Sequence, residues 1–363
     1  MTFTKLTAIL AIAAGGLLQA SLAAAGVAVA PNDKNVLYTG RVDFANPRAP
    51  VITWPATQVA GNFTGTSLAV TLDDQNGKNY FNVFLDGEES APLIVEAKQG
   101  SQTYVLASGL AQGKHSFLIT KRTEGEEGAT VLRGFELADG GRMLAPPARP
   151  KRRIEVFGDS ITSGMGDEAP MNGADDVKRD KNSYLSYASV AARRLNAELH
   201  MTSQSGIGIM ISWFPFTMPD FYDQMSAVGN NDTHWDFASW TPDVVVINLL
   251  QNDNWLIGRD HKLQPEPDDA ARVAHYQKFV ARIRELYPRA YIVCALGSMD
   301  ATRPGSPWPG YIKSAVANLH AAGDKRIDTV FFDYTGYGQH PRLKHQEDNG
   351  AKLAAFIRQK MGW

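Results

Sequence analysis

Three prolines within six residues, in the segment Ala145-Pro-Pro-Ala-Arg-Pro150, divide this 363-residue chain into two stretches with different hydrophobic grammar. Proline resists both a helix interior and a central strand, so neither kind of element runs through this seam. Upstream, the alternation over residues 67–72 (SLAVTL) and 80–85 (YFNVFL) is that of half-buried strands. The intervening DQNG at 74–77 and Asp86-Gly87 are turn chemistry, and the runs at 116–120 and 129–133 continue the pattern. Short strands at such spacing predict an all-β sandwich or jelly roll over 31–147. Downstream, strand-like runs at 154–157, 198–201, 243–250, 290–296 and 329–332 alternate with helical spacing over 183–195, 269–286 and 350–361. The run at 243–250, β-branched from Val244 to Ile247, is the kind a parallel sheet buries on both faces. The expectation over 148–363 is an α/β domain, a flavodoxin-like parallel sheet with helices on both faces.

The N-terminus differs in kind. Lys5 precedes an Ala/Leu-rich run over 6–25, and Ala23-Ala24-Ala25 and Ala28-Val29-Ala30 both suit a signal peptidase. Residues 1–30 are therefore expected to be a signal peptide and leader, and the mature protein to be secreted or periplasmic, soluble and monomeric. A retained anchor is the alternative; no other stretch is apolar enough to span a bilayer. A net charge of −2 gives no electrostatic case for nucleic acid or an anionic membrane surface. Cys294 is the only cysteine, which excludes an intrachain disulfide and a cysteine-based metal site. Its apolar surroundings predict a buried strand position.

The chemistry-bearing segments sit where the downstream strands are expected to end. In RIEVFGDSITSGMG, residues 153–166, the apolar run stops at Gly158-Asp159, and Ser160 follows where a helix can start. There the hydroxyl is exposed beside unpaired backbone N–H groups, the combination acyl transfer requires. Three further segments end predicted strands with polar or glycine residues: TSQSGIG at 202–208, LLQNDNW at 249–255 and GYGQHP at 336–341. Each alone has an ordinary structural reading: an N-cap serine, turn glycines, capping Asn or Asp, one histidine among eight. In the order Ser, Gly, Asn, His they resemble the SGNH (GDSL-like) hydrolases.

The resemblance extends to the upstream domain. An all-β region carrying Trp54-Pro55, Asp86-Gly87 and Lys121-Arg-Thr-Glu124 precedes GDSIT-x-G-x-G-x-E. That arrangement resembles carbohydrate esterase family 2, whose members join a jelly roll to an SGNH domain and deacetylate plant polysaccharides. The resemblance implies Ser160 as nucleophile and His340 as general base. It implies an oxyanion hole from the Ser160 N–H, a glycine N–H at Gly206 or Gly208, and the Asn252 side chain. No cofactor and no metal are implied; the partner is an acetylated polysaccharide such as xylan, mannan or glucomannan.

Two departures stand out. Leu250 occupies the place of a glycine usual in the third block, and Tyr337 stands where Asp-x-x-His would supply a carboxylate. A histidine base needs an acceptor on its second nitrogen. Some family members use a backbone carbonyl two residues before the histidine, which here is Gly338; Asp333 is the reserve. Trp308, in the expected rigid surface loop SPWPG at 306–310, is taken as a substrate contact, because aromatic faces cover the apolar side of a sugar ring. Trp255 divides evenly between substrate and core, and Glu168 between site and structure. Competing readings are an SGNH lipase or thioesterase, and a carbohydrate-binding protein on a degenerate hydrolase scaffold. No G-x-S-x-G elbow and no H-E-x-x-H segment occurs, which disfavours an α/β-hydrolase and a metallo-deacetylase.

Overall fold

The computed structural model describes residues 26–228 and 233–363. The expected leader up to residue 25 lies outside the described residues. Residues 27–29, assigned to that leader from sequence, form the strand Val27–Val29, antiparallel to the end of Thr130–Leu137. Val29 is buried in the β core, which is the reason this short stretch is held by the sheet.

The upstream region is two antiparallel six-stranded sheets packed face to face. Alternate residues point inward: Val59 and Phe63 from Gln58–Thr64, Leu68, Val70 and Leu72 from Leu68–Asp74, Phe117 and Ile119 from Lys114–Lys121. Period-two burial of this kind is what the alternating runs encode.

The downstream region is a five-stranded parallel sheet of β1 (Arg152–Gly158), β2 (Ala197–Ser203), β3 (Val244–Asn248), β4 (Tyr291–Leu296) and β5 (Ile327–Phe331). The order β2-β1-β3-β4-β5 is the flavodoxin-like order. Successive residues of β3 and β4 feed opposite cores. Val245, Ile247, Ile292 and Cys294 face the helices α3 (Asp269–Leu286) and α4 (Trp308–Ala321). Val244, Val246, Val293 and Ala295 face α2 (Tyr187–Arg194) and α5 (Leu343–Met361). Gly158 is in register with both Ser203 and Asn248, so the loops leaving β1, β2 and β3 start side by side.

One expected loop is a helix. Trp308 opens α4, with a proline in its first turn, where the missing N–H costs nothing. Its indole is only 2 % exposed, packed edge-on against Tyr311 at 5.4 Å and under the Arg272 guanidinium at 5.5 Å. Trp308 is a core residue and presents no face to a substrate.

The two regions share a polar, buried seam. Arg41 donates to the carbonyls of Tyr222 and Gln224 at 2.7 and 2.9 Å and pairs with Glu155 at 2.8 Å. The Trp54 indole N–H donates to the Met225 carbonyl at 2.7 Å, and Asn82 donates to Asn182 at 3.0 Å. Gly125 lies so close to the Ala227 carbonyl that a Cβ there would be 2.4 Å from it.

Candidate active site

β1 ends at Gly158, where a Cβ would meet the Thr162 hydroxyl at 2.0 Å, so only glycine lets the chain turn this tightly. Asp159 then caps the one-turn helix α1 (Ser160–Ser163) by accepting the Ile161 N–H at 3.0 Å. Ser160 is the first residue of that turn. Among the described residues its own N–H has no partner.

The Ser160 Oγ lies 2.7 Å from His340 Nε2. His340 Nδ1 is 2.9 Å from Asp175 Oδ2, and the same oxygen accepts the His340 backbone N–H at 3.0 Å. Asp175 comes from the loop after the Ser160 turn, and Arg342 holds that loop. Its guanidinium donates to Asp175 Oδ1 at 2.6 Å and to the carbonyls of Gly166, Pro170 and Gly173 at 2.8, 3.1 and 3.0 Å. Burial alone would raise the Asp175 pKa, but hydrogen bonds from the His340 ring and backbone and from Arg342 bring it down to about 2.

This corrects the sequence reading of the histidine's partner. No contact of the ring with the Gly338 carbonyl occurs among the described residues, because the 166–175 loop delivers a carboxylate to Nδ1 instead. Asp333 is 92 % exposed and pairs with Lys352 at 3.0 Å, away from the ring. Glu168 pairs with Arg122 of the β region and so belongs to the seam. Trp255 stands edge-on to His340 at 6.4 Å, its indole N–H anchored on Asp300 at 2.8 Å.

On the other side of Ser160, Gly206 and Gly208 separate. The Gly208 N–H donates to the Ser212 hydroxyl at 3.0 Å, whereas the Gly206 N–H has no partner among the described residues. Gly206 takes φ +85°, a conformation that favours glycine. Asn252 donates one Nδ2 hydrogen to the Ile207 carbonyl at 2.9 Å, and its Oδ1 accepts the Trp213 indole N–H at 3.1 Å. An indole only donates, so Trp213 fixes which way the Asn252 amide faces and leaves its second N–H available. Trp213, which the sequence reading missed, is 54 % exposed beside Gly206.

Buried Asp253 organises the same loop by accepting the Ile209 and Met210 N–H groups at 3.0 and 2.7 Å. Burial pushes Asp253 up to about 6 and Asp159 up to about 7, in spite of the backbone N–H groups each accepts. Leu250 keeps the geometry of the missing glycine: it sits at φ +92°, ψ −2°, with its side chain buried in the core.

Family comparison agrees with both halves. Residues 38–147 match the carbohydrate esterase 2 N-terminal family, and residues 156–355 match the GDSL-like lipase/acylhydrolase family. The chain is 33 % identical over 352 residues to the cellulase/esterase CelE of Acetivibrio thermocellus, covering 92 % of this chain and 40 % of that longer protein. It is 29 % identical to an acetylxylan esterase/glucomannan deacetylase of Cellvibrio japonicus, covering 98 % of each. A family two carbohydrate esterase from Clostridium thermocellum, solved with cellohexaose, superposes with a TM-score of 0.81 at 33 % identity, over 90 % of this chain and 99 % of that one. With a β sandwich joined to a GDSL-like domain in one continuous match, this chain belongs to carbohydrate esterase family 2, a family of carboxylic ester hydrolases.

Proposed function

We propose that the chain removes O-acetyl groups from polysaccharides through an acetyl-enzyme on Ser160. The observation that carries this reading is the continuous relay from Ser160 Oγ to His340 at 2.7 Å and on to Asp175 at 2.9 Å. Ser160 Oγ attacks the acetyl carbonyl while its proton passes to His340 Nε2. The carbonyl oxygen gathers the charge beside the N–H groups of Ser160, Gly206 and the Asn252 amide. Collapse breaks the bond to the sugar oxygen, which leaves with the proton from His340. Water then gives a proton to His340 as it attacks the acetyl carbonyl; the bond to Ser160 Oγ breaks, that oxygen takes the proton back from His340, and acetate and free Ser160 result. Asp175 holds Nδ1–H, keeping Nε2 free to accept, and stabilises the imidazolium that forms.

The sugar side follows from Trp213, whose exposed face beside the oxyanion donors offers a platform for a pyranose ring. Relatives named for acetylxylan and glucomannan support a β-linked plant polysaccharide as substrate. The leader-like run at 6–25 supports action outside the cytoplasm, and among the described residues no helix is long and apolar enough to cross a membrane.

The test is release of acetate from 4-nitrophenyl acetate and from acetylated xylan, wild type against Ser160→Ala. Wild-type turnover that falls to background in the variant supports the reading. Equal rates in the two proteins, or a folded wild type with no turnover, would sink it.

A further inference from the structure

One side chain of the β domain, Glu124, reaches the segment that carries Gly206. Glu124 closes the Lys121-Arg-Thr-Glu124 segment and is fully buried at the seam. Its Oε2 accepts the Ser205 N–H at 2.6 Å, and Ser205 immediately precedes Gly206. Its Oε1 accepts from Lys181 at 2.8 Å, and Lys181 also bonds Glu127 at 2.8 Å. Glu124, Glu126 and Glu127 are grouped closely enough to suggest a cation site, yet the Lys181 ammonium already fills that place.

Glu124 closes one end of a bracket. On the far side of Gly206, its carbonyl accepts the Trp213 N–H at 3.1 Å. The Gly206 N–H therefore lies between two fixed points, one in the β domain and one in its own loop. Donors aimed at a developing oxyanion are effective only when they need not reorganise as charge appears. A buried ion pair is by itself weak evidence of stabilisation. A carboxylate held by a lysine is, however, a rigid acceptor for the loop amide.

We propose that Glu124 is a positioning residue for the oxyanion hole: it touches no substrate, but by holding Ser205 it fixes the direction of the Gly206 N–H. The β domain is then part of the catalytic apparatus and not an appended module. This rests on the esterase reading above, and a separate outcome tests each.

The experiment measures kcat per reactive serine, counting sites by stoichiometric phosphonylation with a fluorophosphonate, for wild type, Glu124→Ala, Glu124→Gln and Trp54→Phe. Glu124→Ala is expected to lose about 10- to 100-fold in kcat per titrated serine, somewhat less than deletion of a direct donor. KM should stay within about twofold, and affinity for a trifluoromethyl ketone, which mimics the tetrahedral oxyanion, should fall in parallel. Glu124→Gln has one acceptor oxygen for two donors, so a loss of about tenfold is expected there; it carries the test if the alanine variant does not fold. Trp54→Phe removes the seam bond to Met225 and should lower Tm while leaving kcat per serine unchanged. Per-serine rates equal to wild type in Glu124→Gln, or an equal loss in Trp54→Phe, would overturn the proposal. A wild type with no titratable serine and no turnover would overturn the esterase reading and this one with it.

Discussion

On one side of Ser160, the Asp175 carboxylate faces an imidazole and a guanidinium; on the other, Asp159 and Asp253 face backbone N–H groups from inside the core. The same residue type is driven in opposite directions, down to about 2 in the first case and up to about 7 and about 6 in the second. Hydrogen bonds from the His340 ring and backbone and from the Arg342 guanidinium outweigh the cost of burial at Asp175; backbone amide donors alone do not outweigh it at the fully buried Asp159 and Asp253. Proximity to Ser160 therefore does not decide what a carboxylate does. Its partners do: one aspartate holds the His340 ring, and two hold the chain.

The comparison breaks most sharply at Asp175. Asp175→Asn keeps the shape but presents an amide to Nδ1, which favours the wrong tautomer; kcat should fall about 10³- to 10⁴-fold with KM little changed. Retention of most activity in steady-state kinetics would return the orienting role to a backbone carbonyl. Asn252→Ala removes one oxyanion donor and should cost about 10²- to 10³-fold in kcat. A loss expressed in KM alone would mean that Asn252 holds substrate and not charge.

The smallest effect sharpens the contrast through pH. Asp175 titrates lower in the folded protein than the unfolded value of about 4, so its contribution to stability is present above that value and lost as pH falls toward about 2. Asp253 titrates higher, so its contribution is full below about 4 and lost as pH rises through about 6. Urea unfolding across pH should show Asp175→Asn flattening the acid limb, and Asp253→Asn flattening the decline between about pH 4 and 6. Identical pH profiles for both variants would erase the distinction.

The sheet was legible because periodicity and burial coincide: Val244–Ile247 are β-branched without a break, and both faces of that strand meet helices. The segments carrying Ser160, Gly206 or Gly208, Asn252 and His340 stood out because each follows the carboxyl end of an expected strand, in an order that resembles a known hydrolase family. Asp175 did not. It lies in a polar loop far from His340 in sequence, and a carboxylate was sought only within a few residues of the histidine. The available signal was Arg342, a buried cation two residues past His340 that needed an acidic partner. Trp308 misled because tryptophan beside proline reads as a surface loop, whereas a proline in the first turn of a helix is equally ordinary. Trp213 passed unnoticed because it stands in a cluster with Phe214 and Phe216, and a sequence does not say which member of an aromatic cluster is left facing solvent.

Leu250 limits what its loop can accept in exchange. A left-handed leucine carries a backbone penalty of about 1–2 kcal/mol that glycine would escape. Its buried side chain, once packed in the core, is worth about 2–5 kcal/mol against removal. The second quantity exceeds the first, so replacing this leucine by glycine runs uphill although the backbone would welcome it. A design that introduced glycine here would have to refill the vacated volume from a neighbouring position at the same time.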